Sequence, residues 1–268
     1  MKNAGKKFHT TGRVLRNREI AADLFEISIE CPEIARAAAP GQFVNARAWE
    51  ETSPLLRRPF SIARAGGDAI ILIVKKVGPA TEIICGRKKG EAVSLLGPLG
   101  RGFPPPEKGG RYLLVAGGFG IAPLLFFATR ARAAGGVILF GANSKGHLPA
   151  SIEKHLPKNW KMLYATIDGS RGKKGLVTGL LTAELKKSKK WNAIYACGPV
   201  PMMKAAAAIA AKRSLPCLVS METHMACGVG ACMGCPVPVI ESGKPAYKMA
   251  CADGPVFDAD EIRWEETA

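Results

Sequence analysis

Apolar positions follow two rhythms along the chain. Through the first hundred residues they come in short bursts: LFEISIE (24–30), QFVNARA (42–48), AIILIVKKV (69–77) and EAVSLLG (91–97). These runs are rich in Val, Ile and Phe, and Pro and Gly punctuate them. Several short strands at close spacing predict a small antiparallel β-barrel. GRGFPPPEKGGR (100–111) breaks the pattern and reads as a linker. From about Arg111 to Pro216 the rhythm changes. RYLLVAGG, GVILFGAN, WKMLYATIDG and WNAIYACGP read as buried strands, while IAPLLFFATRARAAG and PMMKAAAAIAAKR read as helices. Strands alternating with helices predict a parallel α/β sheet.

From about Leu215 the pattern gives way to METHMACGVGACMGCPVPV (221–239), a run crowded with cysteine and glycine. Cys227, Cys232, Cys235 and the later Cys251 fit C-x4-C-x2-C…C, the plant-type ferredoxin spacing for a [2Fe–2S] cluster. Gly228, Gly230 and Gly234 interleave the ligands, and a tight loop around a cluster needs their conformational freedom. Structural zinc is the alternative, although zinc sites usually pair their cysteines as two C-x2–4-C units. A [4Fe–4S] site would more often show C-x2-C-x2-C, which is absent. VIESGKPAYK (239–248) between the triplet and Cys251 looks hairpin-like. A tail this small cannot fold on hydrophobic burial alone, so a metal centre is expected to hold it.

Composition narrows the setting. The chain has 268 residues, 47% of them apolar, enough for two domains and a small appendage. Eight cysteines, four of them clustered, do not make an evenly stapled secreted scaffold. No apolar run is long enough to span a membrane, and MKNAGKKFHT lacks the apolar stretch of a signal peptide, so a cytoplasmic protein is expected. The net charge of +16 suggests nucleic acid at first sight. However, Lys and Arg are spread out, only short runs such as ELKKSKKW stand out, and no nucleic-acid motif accompanies them. A basic solvated surface is the better reading.

Two further stretches carry candidate chemistry. LLVAGGFGIAPL (113–124) runs strand, glycines, helix, so Gly117, Gly118 and Gly120 would let a pyrophosphate approach a helix N-terminus. The spacing is not G-x-G-x-x-G, and a glycine turn before a helix is often only a turn. YACGPVPM (195–202) places Cys197, Gly198 and Pro199 at the carboxyl edge of another strand, where α/β ligands bind. On its own Cys197 reads as a small buried residue. RRPFSIA (57–63) offers arginine for a diphosphate and serine for a ring nitrogen, or simply a surface arginine pair. The four histidines, His9, His147, His155 and His224, are isolated, and His224 reads as a surface residue near the cysteines. No nucleophile, hydrolase metal motif or paired-carboxylate site competes with a redox reading.

Together these pieces resemble the ferredoxin–NADP reductase superfamily. Its flavin-binding R-x-x-S motif matches Arg58-Pro59-Phe60-Ser61, and its G-x-x-T turn at the flavin diphosphate matches Gly78-Pro79-Ala80-Thr81. Its nicotinamide motifs match Gly117 to Pro123 and Cys197-Gly198-Pro199, and GPLGRGF (97–103) matches the segment leading out of the barrel. With MACGVGACMGC and CADGPVF added, the chain resembles the iron–sulfur electron-transfer subunit of heteromeric, NAD-dependent (type B) dihydroorotate dehydrogenases. The resemblance implies an FAD-binding barrel over 1–106, an NAD-binding α/β domain over 107–214 and a [2Fe–2S] domain over 215–268. It implies an oxidoreductase subunit of pyrimidine biosynthesis that passes electrons between NAD and an FMN-containing catalytic subunit, in a heterotetramer with two of each. The resemblance implies NAD rather than NADP; GANSKGHLP, after the second strand of this domain, has Lys145 but no arginine pair. Subunits of sulfide dehydrogenase and of ferredoxin:NADP complexes are similar too, but there one ligand can be aspartate, and here all four are cysteine. The same residues also leave room for a stand-alone reductase or a zinc-stabilised binding module. Val229 and Met233, between the ligand cysteines, are expected to face the partner.

Overall fold

The computed structural model describes residues 5–149, 151–187 and 190–267. The first four residues of MKNAGKKFHT and Ser188-Lys189 of ELKKSKKW lie outside the described residues. Six strands close the expected antiparallel barrel: β1 (Phe8–Ala21), β2 (Leu24–Glu30), β3 (Phe43–Arg47), β4 (Arg58–Gly66), β5 (Ala69–Lys75) and β6 (Ala92–Leu99). Their order around the barrel is β1-β2-β5-β4-β3-β6. Alternate side chains point inward, as the two-residue strand period demands. Ile27 and Ile29 of β2, Ile70, Leu72 and Val74 of β5, and Val93 and Leu95 of β6 fill the interior. Each such side chain stabilises the fold by roughly 1.5–3 kcal/mol on burial. Two short helices lie beside these strands, α1 (Pro32–Ala37) and α2 (Pro79–Cys85).

The second half is a seven-stranded sheet. Its first five strands are β7 (Arg111–Gly117), β8 (Gly135–Ala142), β9 (Trp160–Thr166), β10 (Lys173–Lys174) and β11 (Ala193–Cys197), joined by α3 (Ile121–Arg130), α4 (Val177–Leu185) and α5 (Val200–Ala211). Strand β7 is central: β8, β9 and β10 extend one way and β11 the other, all parallel. The chain therefore reverses its strand order between β7 and β11, and a crevice opens where it does.

Helix α3 is buried on nearly every side, from Ile121 through Ala128. Phe126 enters the barrel core while the adjacent Phe127 enters the sheet core. Phe103, inside the expected linker, stacks on Tyr195 with ring centroids 4.8 Å apart. Glu26 of β2 adds a polar tie. It is buried between Arg18 and Arg64, and Arg18 also reaches Ser151 of the second half.

The tail departs from expectation. Its first strand, β12 (Cys217–Ser220), pairs with β11, and a hairpin follows, β13 (Pro236–Glu241) with β14 (Lys244–Met249). Strand β15 (Val256–Asp258) then returns antiparallel to β12 and ends the sheet. Val219, Val237, Val239, Met249 and Phe257 share one core with Leu113 and Val115 of β7. Hydrophobic burial against the sheet thus helps to anchor the tail, a contribution that its reading as a separate small segment did not include. Among the described residues, no helix is long and apolar enough to cross a membrane.

Candidate functional site

Strand β4 begins with the expected flavin motif. Arg58, Pro59, Phe60 and Ser61 line a cavity of about 360 Å³, closed on its far side by the segment from Ser220 to Met225. The two arginines of RRPFSIA separate in role. Arg57 turns to Ser94 and His9, whereas Arg58 lies at the cavity and bonds backbone carbonyls through Nη1. The Thr81 hydroxyl accepts from the N–H groups of Val77 and Gly78 and donates to the Gly78 carbonyl. It shapes the turn into α2 from within, a side-chain substitute for backbone pairing. Thr223 Oγ1 is buried on the tail side of this cavity and has no protein partner. A buried hydroxyl without a partner costs about 1–3 kcal/mol, so this wall suits a ligand with polar atoms.

A second cavity, about 640 Å³, opens at the carboxyl ends of β7 and β11. Gly117, Gly118, Gly198 and Pro199 line it. The two turns fit shoulder to shoulder because they lack side chains. A Cβ on Gly120 would lie 2.3 Å from the Cys197 carbonyl oxygen, and one on Gly117 would lie 2.7 Å from Pro199 Cδ. Gly118 differs: its φ is +55°, and a Cβ there would point into open space. That is where a ligand backbone can come close. The Cys197 side chain is fully buried in the sheet core, and burial pushes its thiol well above the ordinary range. Its backbone, rather than its sulfur, borders the glycine turn.

The cavities meet. Lys75, Phe119 and Glu222 line both. Glu222 keeps solvent access through the cleft, but protein crowds its carboxyl, and that desolvation pushes the pKa up to about 7. His224, expected as a surface residue, is exposed but belongs to the wall of the first cavity. Lys75, Glu222 and Thr223 were not singled out by sequence. Their one signal is position, at the end of a barrel strand and just after the last parallel strand.

The cysteine loop follows directly from that wall. Cys235 and Cys251 are buried with their sulfurs 3.2 Å apart. Cys227 and the exposed Cys232 form the other neighbouring pair. Backbone N–H groups aim at the sulfurs: Val229 and Cys232 at Cys227 Sγ, both at 3.4 Å, and Gly230 at Cys251 Sγ at 3.1 Å. The bond from Val229, helped by that from Cys232, pulls the Cys227 thiol down to about 6. Burial raises Cys251 to about 12. Gly228 and Gly230 take φ of +71° and +86°, which the loop needs to curl around its sulfurs. Among the described residues no three His, Cys, Asp or Glu side chains lie close enough together to hold a metal ion. The donor set itself, four thiols and inward N–H groups, is that of an iron–sulfur ligand loop. Sequence reasoning also passed over Asn45, a buried amide in β3 whose Nδ2 donates to the Cys227 carbonyl.

Comparison with known proteins agrees with this geometry. Residues 222–263 match the iron–sulfur cluster binding domain of dihydroorotate dehydrogenase B, and residues 114–208 match the oxidoreductase NAD-binding domain. The dihydroorotate dehydrogenase B (NAD(+)) electron transfer subunit of Desulforamulus reducens is 37% identical over 258 residues, covering 94% of this chain and 97% of that protein. Its counterpart in Geobacillus sp. (strain WCH70) is 35% identical over 253 residues, covering 93% and 96%. A solved NADH-dependent reduced ferredoxin-NADP oxidoreductase superposes with a TM-score of 0.84 at 32% identity, covering 96% of this chain and 91% of that chain. The ferredoxin reductase in carbazole 1,9a-dioxygenase, at 22% identity and a TM-score of 0.67, covers 80% and 68% and shares the fold. Barrel, sheet and cysteine loop all fall within these matches, and the chain belongs to the family of dihydroorotate dehydrogenase B electron transfer subunits.

Proposed function

We propose that this chain carries electrons between a dihydroorotate-oxidising catalytic subunit and NAD, using FAD in the first cavity and a [2Fe–2S] cluster on Cys227, Cys232, Cys235 and Cys251. The observation that carries this reading is the meeting of the two cavities at Lys75, Phe119 and Glu222, with the cysteine loop continuing from their shared wall. When bound, FAD exchanges a hydride with nicotinamide and single electrons with the cluster. Arg58 pairs with the flavin diphosphate, Ser61 and Thr223 offer hydroxyls to its polar atoms, and Pro59 and Phe60 supply apolar wall. Gly78 and Thr81 form the turn that admits the diphosphate. Gly117, Gly118, Gly120, Gly198 and Pro199 let the dinucleotide approach α3, with Cys197 forming the strand end beneath. Phe119 and Glu222 line the junction between the two cofactor sites.

By cofactor the chain divides into an FAD part (1–106), an NAD part (107–214) and a cluster part (215–268), the last sharing its sheet with the second. Val229 and Met233, 38% and 64% exposed, lie between the ligand cysteines and face the partner. That partner is an FMN-containing subunit in a complex with two copies of each, working in the cytoplasm. The test is an anaerobic NADH titration followed by absorption spectroscopy. Flavin and iron–sulfur bands should bleach, and adding the catalytic subunit should couple dihydroorotate oxidation to NAD⁺ reduction. A protein without visible bands would remove the reading and favour a zinc module. The likeness to the NADH-dependent ferredoxin-NADP oxidoreductase supports a second reading, electron exchange with ferredoxin. Ferredoxin reduction without any dihydroorotate coupling would establish that one instead.

A further inference from the structure

Asn45 lies in the apolar run of β3 and is only 1% exposed. A buried amide is costly unless it is bonded, and its Oδ1 has no partner. Its donor side is engaged: Nδ2 reaches the carbonyl of Cys227, 3.3 Å away in the ligand loop. The next residue makes a second, independent contact. Gly228 packs flat against the same amide, and a Cβ there would sit 2.1 Å from Nδ2. In the barrel, Asn45 is the cross-strand neighbour of Pro59, inside the flavin motif, and Arg58 is paired with the adjacent Ala46. One side chain therefore ties the start of the cysteine loop to β3, whose neighbour β4 presents Arg58 and Pro59.

Building on the cofactor assignment above, we propose that Asn45 is a positioning residue for electron exchange between cluster and flavin. Such exchange falls steeply with the separation of the two centres. A ligand loop free to shift by a fraction of an ångström alters the rate while keeping every ligand. Hydrophobic packing holds the Cys235 and Cys251 end, both thiols being buried, whereas Cys227 and Cys232 sit nearer solvent. The Asn45 amide holds the Cys227 end, the side that the core does not reach. An apolar residue at position 45 would fill the same space without an unpaired oxygen, so the amide serves the loop rather than the barrel.

The test uses the full chain with its cofactors, unsubstituted and as Asn45→Leu and Asn45→Ala. Rapid mixing with NADH resolves flavin reduction from the cluster reduction that follows it. The second phase should slow by about twofold or more relative to the first in each variant. Electron paramagnetic resonance of the reduced cluster should broaden, since the ligands then sample a spread of geometries. If Asn45→Leu fails to fold, Asn45→Ala, which only removes atoms, decides. Unchanged rate ratio and line shape in the variants, with a normal iron–sulfur signal in the unsubstituted protein, would overturn the positioning role alone. Absence of that signal from the unsubstituted protein would overturn the ligand assignment, and this role with it.

Discussion

The nicotinamide turn and the cysteine loop both gather glycines around a bend, and they use them in opposite ways. At the turn, Gly120 and Gly198 are pressed against neighbouring backbone and Gly117 against the Pro199 and Met202 side chains, so packing sets its shape. In the loop, Gly228 and Gly230 take left-handed conformations and the chain curls around its own sulfurs, with Cys232 still exposed. The first region is preorganised by packing. In the second, Gly228 packs against Asn45 while Cys232 stays exposed. One scaffold thus carries a close-packed glycine turn and a cysteine loop built on left-handed glycines.

Substitutions should separate the two regimes, beginning with the largest effect. Cys232→Ser removes a ligand that no core contact replaces, so visible iron–sulfur absorption and iron content should be lost. Barrel and sheet should stay folded and keep flavin, because burial holds the tail; retention of normal iron and sulfide would break the contrast. Gly120→Val drives a side chain into the Cys197 carbonyl, and flavin reduction by NADH should fall by about 100-fold or more. Overpacking there should also cost about 1–3 kcal/mol of stability, seen in denaturant melts. Gly118→Val faces open space and should lose coenzyme binding at the expense of only about 1–2 kcal/mol of backbone strain. Equal melts for the two glycine variants would show that packing does not distinguish them.

Arg58→Ala removes a charge-assisted bond of roughly 1.5–3 kcal/mol, so FAD affinity should drop by about 10- to 150-fold in equilibrium dialysis. Val229→Asp and Met233→Asp place charges beside the cluster and should weaken binding of the catalytic subunit by about tenfold or more, read by titration calorimetry. NADH–dye activity of the isolated chain provides the control. The smallest effect concerns pH. Desolvation raises Glu222 from 4.5 to about 7, which penalises its ionised form. That penalty is absent below about 4.5, accrues as the pH rises towards about 7 and is complete above it. Across this window the melting temperature of Glu222→Gln should rise relative to the unsubstituted protein; a constant difference would mean the carboxyl titrates as though solvated.

Much of this was legible in sequence wherever a physical requirement leaves a repeated mark. Alternation marked β2, β5 and β6, whose inner faces are apolar. Strand β1 escaped notice because only Gly12 and Val14 are buried along its length, so its pattern reads as polar. Strands β12 and β15, four and three residues long, are too short to display a period. Their place in the sheet is decided by partners far along the chain. The glycine and cysteine positions announced themselves because close backbone approach and metal ligation admit few residue types. Lys75, Glu222, Thr223 and Asn45 did not, since one polar residue looks like any solvated one until the fold surrounds it.

Strands β12 and β15 are paired rung for rung, with Ser220 opposite Val256. The entire cluster-bearing stretch between them leaves the sheet and comes back to the same place, and the Met221 N–H donates to the Pro255 carbonyl at its neck. Topologically it is a cassette. Its chain ends are fixed by the β12–β15 pairing, while its hairpin is packed into the core it shares with β7.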